Sequence, residues 1–289
     1  MKTISEIRQM LDEKKISSLE LTESYLEKIN KNNEKYGAYI TVCEDEAVSM
    51  AKKADERIAK GEASFLTGIP MAIKDNICTE GIKTTCGSKI LGNYIPPYNA
   101  TVIEKLNKED AVYLGKTSMD EFAMGGSSQT CYYNKPKNPF NANCVPGGSS
   151  GGSAVAVSGG MALCSLGSDT GGSIRQPAAF CGITGMKPTY GSVSRFGLVA
   201  FGSSLDQIGP FANSAKDCGI ILNAISGRDV HDHTSRDVKI DFNSLIGQDI
   251  KGMKIGIPKE FFGDGIDEEV RDSVMKVAKF YEANGAELI

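Results

Sequence analysis

The stretch PGGSSGGSAVAV (residues 146–157) is followed, after a short apolar run, by GSDTGGSIRQP (residues 167–177). Both segments are rich in glycine and serine, but apolar residues such as Val155, Val157 and Leu166 are interleaved with them. A flexible linker would lack these apolar residues. The stretch therefore belongs to a folded core, and its glycines and serines predict a site that holds either a phosphate or an acyl group.

Short apolar runs broken by glycine occur on both sides of this stretch. They are GIPMAIK (68–74), AVYLG (111–115), MALCSLGSD (161–169) and KIGIP (254–258). Runs of this length predict buried strands, and patterns of helical spacing lie between them. Strands that alternate with helices indicate a layered α/β fold.

The first sixty residues predict helices. Thr3 with Glu6, and Ser17 with Glu20, are capping-box pairs ahead of apolar residues at helical spacing. A third helix is expected from about Glu44 to Gly61. We therefore predict an N-terminal helical segment over residues 1–60, packed on a core over residues 61–289, in one domain.

The last forty or so residues predict a strand, a helix and the beginning of another strand. Lys254–Ile257 has the pattern of a strand, and Asp267 to about Ala283 that of an amphipathic helix that Gly285 ends. The final residues, AELI, stand where the next strand should start. We therefore expect the chain to be a piece of a longer protein whose remainder contributes to the same sheet.

The composition of the 289 residues is that of an ordinary globular protein, with 40% hydrophobic residues and a net charge of −4. This charge gives no diffuse attraction for nucleic acid or anionic lipid. No apolar run approaches the roughly 20 residues of a membrane span, so we expect a cytoplasmic protein with no membrane partner. The eight cysteines form no C-x-x-C pair and predict reduced thiols. His231 and His233 lie in a polar loop, and we expect no metal site there.

Phosphate binding is the first interpretation of the glycine-rich segments. Gly115-Lys-Thr117 follows a predicted strand, as in a P-loop, but the position that requires the first glycine of that motif is Asp110. A carboxylate there would repel a phosphate. No G-x-G-x-x-G pattern occurs in the clusters either, and both observations argue against phosphate binding.

Acyl chemistry is the second interpretation. Gly147–Gly151 satisfies the G-x-S-x-G pattern of α/β-hydrolases, whose serine requires a histidine base. Lys74 is the other candidate base, because it ends a buried apolar run and a desolvated lysine can be neutral. An ion pair with Asp75 is the structural alternative for that lysine. The residues alone leave the choice between a lysine base and a histidine base open.

The segments 147–154 and 167–177 resemble the signature of the amidase signature family. That resemblance implies a layered fold with a mixed, mostly parallel central sheet and helices on both faces. It also implies a Ser-cisSer-Lys triad, with Ser173 as the nucleophile, Ser149 after a cis peptide as the bridging serine, and Lys74 as the base. The amides of Thr170, Gly171 and Gly172 are expected to bind the oxyanion. Asp169 and Arg175 are expected to pair and to position the loop.

Three further segments are similar to the A-subunit family of the amidotransferases that act on Glu-tRNA(Gln) or Asp-tRNA(Asn). They are GIPMAIKDNI (68–77), MDEFAMG (119–125) and KPTYGSVSRFGLVAFGSSLDQIGP (187–210). The resemblance implies hydrolysis of glutamine, with the ammonia passed to a tRNA-binding B subunit that uses ATP and Mg²⁺, in a complex with a small C subunit. No cofactor is expected in this chain, and tRNA is expected to be bound only through the partner.

Two differences between this sequence and that family leave other functions open. That family continues well past the end of this chain, into a region expected to hold the groups that bind the α-amino and α-carboxylate groups of glutamine. In addition, Ser127-Ser-Gln-Thr-Cys131 replaces the usual S-T-E-N-S run near the substrate pocket. A stand-alone amidase for another carboxamide, or an inactive fragment, therefore remains an alternative.

Overall fold

A computed structural model describes residues 2–289 of the chain. These residues form two compact units, the first ending at Asn243 and the second comprising Ser244–Ile289. The N-terminal helices belong to the first unit, together with the central sheet. The division into a helical segment over 1–60 and a core over 61–289 stays a prediction.

The helices of the first unit follow the predicted pattern. They are α1 (Ile4–Asp12), α2 (Ser18–Tyr36), α3 (Glu44–Ala59), α4 (Thr101–Lys108), α5 (Gly151–Ser158), α6 (Arg175–Phe180) and α7 (Ala215–Ile225). Both capping boxes are confirmed, because the side chains of Thr3 and Ser17 accept hydrogen bonds from the amides of Glu6 and Glu20. The two glutamates in turn accept from the amides of the capping residues, so each capping box gives partners to two backbone donors at the helix start.

The first unit, as far as the structure describes it, contains a six-stranded sheet in the order β1-β3-β2-β4-β6-β5. Its strands are β1 (Tyr39–Val42), β2 (Pro70–Lys74), β3 (Val112–Thr117), β4 (Cys164–Asp169), β5 (Thr184–Gly185) and β6 (Gln207–Ala212). The sheet is mixed, as predicted, but the expectation that it is mostly parallel is wrong, because only two of its five strand pairs are parallel. Parallel pairing is confined to its centre, where β2 lies between β3 and β4, and the other neighbours are antiparallel. The central strands are parallel because β3 and β4 each follow a crossover that contains a helix.

Helices cover both faces of this sheet. Met71 and Ile73 of β2 pack in one hydrophobic cluster with residues of α1, α4 and α7. Ala72, between them, packs on the opposite face with residues of α2, α3, α5 and α6. This alternation follows from the two-residue period of a strand, and it leaves Lys74 on the same face as Ala72.

The three central strands end at the same edge of the sheet. Their last residues are Lys74 of β2, Thr117 of β3 and Asp169 of β4. Loops that follow parallel strands meet at this edge, which is where ligand sites form in α/β sheets. The fold therefore brings the two glycine-rich segments next to Lys74.

The second unit contains the strand, helix and final strand that the sequence predicts. They are β7 (Lys254–Ile255), α8 (Glu268–Ala283) and β8 (Glu287–Leu288), with a 3₁₀ turn at Lys259–Phe262. β7 and β8 are parallel and form a two-stranded sheet of their own. The predicted apolar side of α8 is present as well, and its valines Val270, Val274 and Val277 are each about half exposed.

The eight cysteines are free thiols, and all except Cys144 are buried. Burial raises the pKa of Cys43 and of Cys218 to about 12, so their reactive thiolate forms are scarce at neutral pH. Between residues 2 and 289, no helix has the length and apolar character needed to cross a membrane. The same residues contain no cluster of three His, Cys, Asp or Glu side chains arranged to hold a metal ion.

Candidate active site

Lys74 is the last residue of β2 and is 0% exposed. Its Nζ atom donates hydrogen bonds to Ser149 Oγ at 2.7 Å and to Ser168 Oγ at 2.9 Å. Burial lowers the pKa of Lys74 from 10.5 to about 7, and the carboxylates of Asp120 and Asp169 offset only part of that effect. A large share of this amine is therefore neutral at physiological pH and able to accept a proton.

The ion pair between Lys74 and Asp75, which was the structural alternative, is not formed. The Asp75 carboxylate accepts hydrogen bonds from the amide and hydroxyl of Thr85 and from the amide of Gly87. These bonds fold the segment after β2 around the carboxylate. Lys74 is left with hydroxyl and carbonyl acceptors, which do not require it to be charged.

Ser149 lies two residues before α5, and the Gly148–Ser149 peptide bond is cis, as the resemblance implies. Two contacts with neighbouring segments hold this peptide. The Gly148 amide donates to Gln176 Oε1 at 2.9 Å, and the Ser149 carbonyl accepts from the Asp120 amide at 3.1 Å. The backbone of Gly148 and Ser149 is thus attached both to α6 and to the loop after β3.

Gly148 is also constrained by close packing. A Cβ atom at this position would overlap Asp120 Oδ2 and lie 2.7 Å from the amide nitrogen of Ser127. The glycine is therefore required because a buried carboxylate approaches the backbone there.

Gly148→Ala is expected to lower the free energy of unfolding by about 3 kcal/mol, at the upper end of the usual cost of overpacking, because the overlapped atoms are themselves held by hydrogen bonds. Chemical denaturation of the two proteins measures this difference. Gly171→Ala is the matched control, since a Cβ atom there meets no atom within 4 Å and stability should change little. Equal stability of the Gly148→Ala protein and the wild type would contradict the packing argument.

Ser173 is buried and lies in the loop between β4 and α6. This loop is folded around the Asp169 carboxylate, which accepts hydrogen bonds from the amides of Gly172, Ile174 and Arg175. The Arg175 guanidinium also binds Asp169, with one N–O distance of 3.0 Å, so the predicted pair is present. Burial raises the pKa of Asp169, but Arg175 and the amides outweigh burial and lower it overall. The carboxylate thus stays ionised and fixes the loop.

The amides predicted to bind an oxyanion are not equivalent. The Gly172 amide donates to Asp169 Oδ1 at 2.7 Å and is therefore occupied. The amides of Thr170 and Gly171 have no acceptor among the described residues, and neither has the amide of Ser173, which was not among the predicted donors. The Thr170 hydroxyl is hydrogen-bonded to Asp206, which anchors this side of the loop.

The structure brings the predicted triad residues together, but only one of the two expected hydrogen bonds is formed. Lys74 and Ser149 are bonded, whereas the Ser173 hydroxyl has no bond to Ser149 among the described residues. The two serine segments are joined by the Ser150 amide, which donates to the Ser173 carbonyl at 3.2 Å. Catalytic hydrogen bonds without substrate are often long and tighten in the substrate complex.

Neither serine hydroxyl is bonded to a histidine within residues 2–289. His231 lies instead in its polar loop, 3.1 Å from Asp229. The histidine-base alternative therefore has no geometric support. The P-loop alternative has none either, because the Lys116 ammonium is buried and donates to the Ile77 carbonyl at 2.6 Å and to the Thr84 hydroxyl.

Several residues around the site were not recognised in the sequence. Ser168 accepts from both Lys74 and Asn76, and Asp120 holds the loop after β3 through the amides of Ser127 and Ser128. Ser168 stands between Gly167 and Asp169 in the signature segment, which is the signal that could have identified it. Asp120 stands in MDEFAMG (119–125), which was quoted above only for its resemblance; besides these amides it also accepts from the Thr130 hydroxyl.

The comparison with known proteins identifies the family to which this fold belongs. The Amidase family matches residues 20–289, and the chain belongs to it.

Its relatives point to a narrower group. The chain is 57% identical over 288 residues to the A subunit of glutamyl-tRNA(Gln) amidotransferase from Thermoanaerobacter pseudethanolicus, and 52% identical to the protein of the same name from Coxiella burnetii. A crystal structure of the Thermotoga maritima protein of that name superposes with a TM-score of 0.88 at 43% identity, covering 99% of this chain and 60% of that one. The peptide amidase of Stenotrophomonas maltophilia has the same TM-score at 29% identity, covering 99% of this chain and 61% of that one.

The matches cover nearly all of this chain but only part of each relative. The alignment with the Thermoanaerobacter protein includes 99% of this chain and 59% of that protein, and the Coxiella alignment includes 100% and 60%. What those whole proteins do is therefore a matter of proposal for this chain.

Proposed function

We propose that this chain is the glutamine-hydrolysing part of a tRNA-dependent amidotransferase. It would release ammonia from glutamine for the amidation of Glu-tRNA(Gln) or Asp-tRNA(Asn). The observation that carries the proposal is the 2.7 Å contact between buried Lys74 and Ser149, next to the loop of Ser173. The similarity to the glutamyl-tRNA(Gln) amidotransferase proteins supports the choice of substrate.

Acylation begins with neutral Lys74. Its Nζ atom takes the proton of Ser149 Oγ, which takes the proton of Ser173 Oγ as the latter attacks the carboxamide carbon of glutamine. The tetrahedral intermediate collapses as the C–N bond breaks, and the proton held by Lys74 passes to the departing ammonia. A glutamyl ester of Ser173 remains, and water hydrolyses it by the reverse proton path.

The oxyanion of each tetrahedral intermediate needs donors that are already in place. The amides of Thr170, Gly171 and Ser173 are supported for this role because they have no acceptor among the described residues. The amide of Gly172 is bonded to Asp169 and would not bind the oxyanion. Because Gly172 has no side chain, it would let the substrate approach the backbone closely. Asp169 and Arg175 would keep the loop in this conformation without transferring protons.

The later steps are assigned to partner subunits. A B subunit would bind the tRNA and use ATP and Mg²⁺ to activate its misacylated end, and a small C subunit would complete the assembly. The net charge of −4 agrees with a chain that meets tRNA only through its partner. A cytoplasmic location, where aminoacyl-tRNAs are used, belongs to the same proposal.

A stand-alone amidase is the second candidate. The fold is equally close to the peptide amidase, and residues 127–131 depart from the usual run of the amidotransferase proteins. The identity of 57% to an amidotransferase protein, compared with 29% to the peptide amidase structure, favours the amidotransferase.

The two candidates differ in substrate and in dependence on a partner. The complete protein, assembled with its partner subunits, should release ammonia and glutamate from glutamine and amidate Glu-tRNA(Gln) or Asp-tRNA(Asn) when ATP and Mg²⁺ are present. Ammonia release should be at least about tenfold slower with asparagine, whose side chain is one methylene shorter. Faster hydrolysis of a C-terminal peptide amide than of glutamine, with no effect of the partner, would favour the stand-alone amidase.

A further inference from the structure

The side chain of Gln176 connects three segments of the site. It lies on α6, three residues after Ser173, and is half-buried. Its Oε1 atom accepts from the Gly148 amide at 2.9 Å, and its Nε2 atom donates to the Gly126 carbonyl at 3.0 Å. Both ends of one planar amide group are thus used, and both partners are backbone groups.

Each partner belongs to a segment that affects Ser149. Gly148 is the residue before it. Gly126 begins the loop whose next two amides, those of Ser127 and Ser128, donate to the Asp120 carboxylate. Asp120 in turn donates its own amide to the Ser149 carbonyl. The contacts therefore form a closed ring from α6 through Gln176 and Asp120 to Ser149.

This ring complements direct bonds between the segments that carry Ser149 and Ser173. The Ser150 amide donates to the Ser173 carbonyl at 3.2 Å, and Ser150 Oγ is bonded to the backbone of Ser168. These bonds all lie on the C-terminal side of Ser149, so an attachment through Gly148, on its N-terminal side, further limits rotation of the peptide that carries Ser149. Gln176 provides this attachment from the same loop and helix that carry Ser173.

We propose that Gln176 is a positioning residue that sets the orientation of Ser149 relative to Ser173. In this orientation the Ser173 hydroxyl can pass its proton to Ser149 Oγ. The inference rests on the proposed function, because it assumes that Ser173 is the nucleophile. Glutamine suits this task because one neutral side chain both accepts and donates. Glutamate could keep the bond to Gly148 but would place a negative charge against the Gly126 carbonyl.

A fluorophosphonate probe tests the inference without requiring the glutamine pocket. Ser173 Oγ forms a bond to phosphorus, fluoride leaves, and the hydroxyl proton passes through Ser149 to Lys74. In the complete protein, Gln176→Met should slow labelling at saturating probe about 100-fold, as expected for a misplaced reacting group. Gln176→Glu should slow labelling about tenfold, which is the effect expected from the loss of one hydrogen bond. The probe concentration that gives half-maximal rate should stay within about twofold of wild type, since the substitution affects reaction rather than binding.

Asn138→Ala is the matched control. Its amide also ties α6 to the preceding chain, by donating to the Phe180 carbonyl at 2.8 Å, but it does not contact Gly148. This variant should label at the wild-type rate, with mass spectrometry locating the adduct on Ser173. A purely structural role of Gln176 would reduce the fraction of protein labelled at long times and leave the rate constant unchanged.

The outcomes separate the inference from the proposed function. No labelling of Ser173 in the wild type would overturn the proposed nucleophile. Labelling of Gln176→Met at the wild-type rate, with wild-type Ser173 reactive, would overturn only the role of Gln176. If Gln176→Met does not fold, Gln176→Glu decides alone, and a rate equal to wild type there rejects the proposal.

Discussion

Ser173→Ala is expected to abolish glutamine hydrolysis and to leave the fold intact. The substitution removes only the Ser173 hydroxyl group. Within the described residues this hydroxyl makes no hydrogen bond, so its loss should not affect folding. Removing the nucleophile of a serine enzyme lowers the turnover rate by about 10⁶-fold in the best-studied case, because the covalent path disappears. We therefore expect ammonia release to fall by at least about 10⁴-fold, to the level that binding and an oxyanion site alone support.

The measurement is ammonia release from glutamine by the complete protein with its partner subunits. Mass spectrometry of rapidly quenched enzyme should find a glutamyl adduct on Ser173 in the wild type and none in the variant. Ser158→Ala is the matched control, since this serine lies at the far end of α5 and bonds to the Ala154 carbonyl one turn earlier. Hydrolysis by Ser173→Ala at the wild-type rate, or an adduct on Ser149, would rule out the assigned roles.

The distribution of apolar residues explains which strands could be predicted. β2, β3 and β4 are fully buried, and a strand with both faces covered leaves a continuous apolar run in the sequence. β6 was missed because it contains Gly209 and Pro210, which argue against a strand that has a neighbour on each side. Its glycine is needed because a Cβ atom would overlap the Met186 carbonyl. β5 has two residues, too few to leave a pattern.

The site could be predicted only as far as its signals are local. The residues alone predicted an acyl site but did not decide between lysine and histidine as the base. The surroundings of Lys74 could not be predicted because its hydrogen-bond partners, Ser149 and Ser168, lie 75 and 94 positions further along the chain. The family resemblance named Lys74, Ser149 and Ser173, and the structure places the first two in contact. Asp120 and Gln176 stand in segments quoted for the resemblance, but their contacts could not be predicted because most of their partners are backbone amides and carbonyls, which any residue type supplies.

The pH dependence follows from the environment of Lys74. In the proposed mechanism acylation requires the neutral amine, and burial lowers the pKa of this group to about 7. The apparent kcat/KM for glutamine should therefore rise tenfold per pH unit below about pH 7 and level off above it. A lysine with its ordinary pKa of 10.5 would still be gaining activity at pH 9.

Lys74→Arg is expected to reduce acylation by at least about 10³-fold at every pH, although the positive charge is kept, because a guanidinium does not lose its proton in proteins. The measurement is the single-turnover rate of acylation of Ser173 between pH 6 and 9, compared with Lys74→Ala. Small primary amines should partly restore Lys74→Ala, in proportion to their free-base concentration, whereas guanidine should not. Retention of substantial activity by Lys74→Arg, or restoration by guanidine, would mean that this side chain supplies charge rather than accepting the proton.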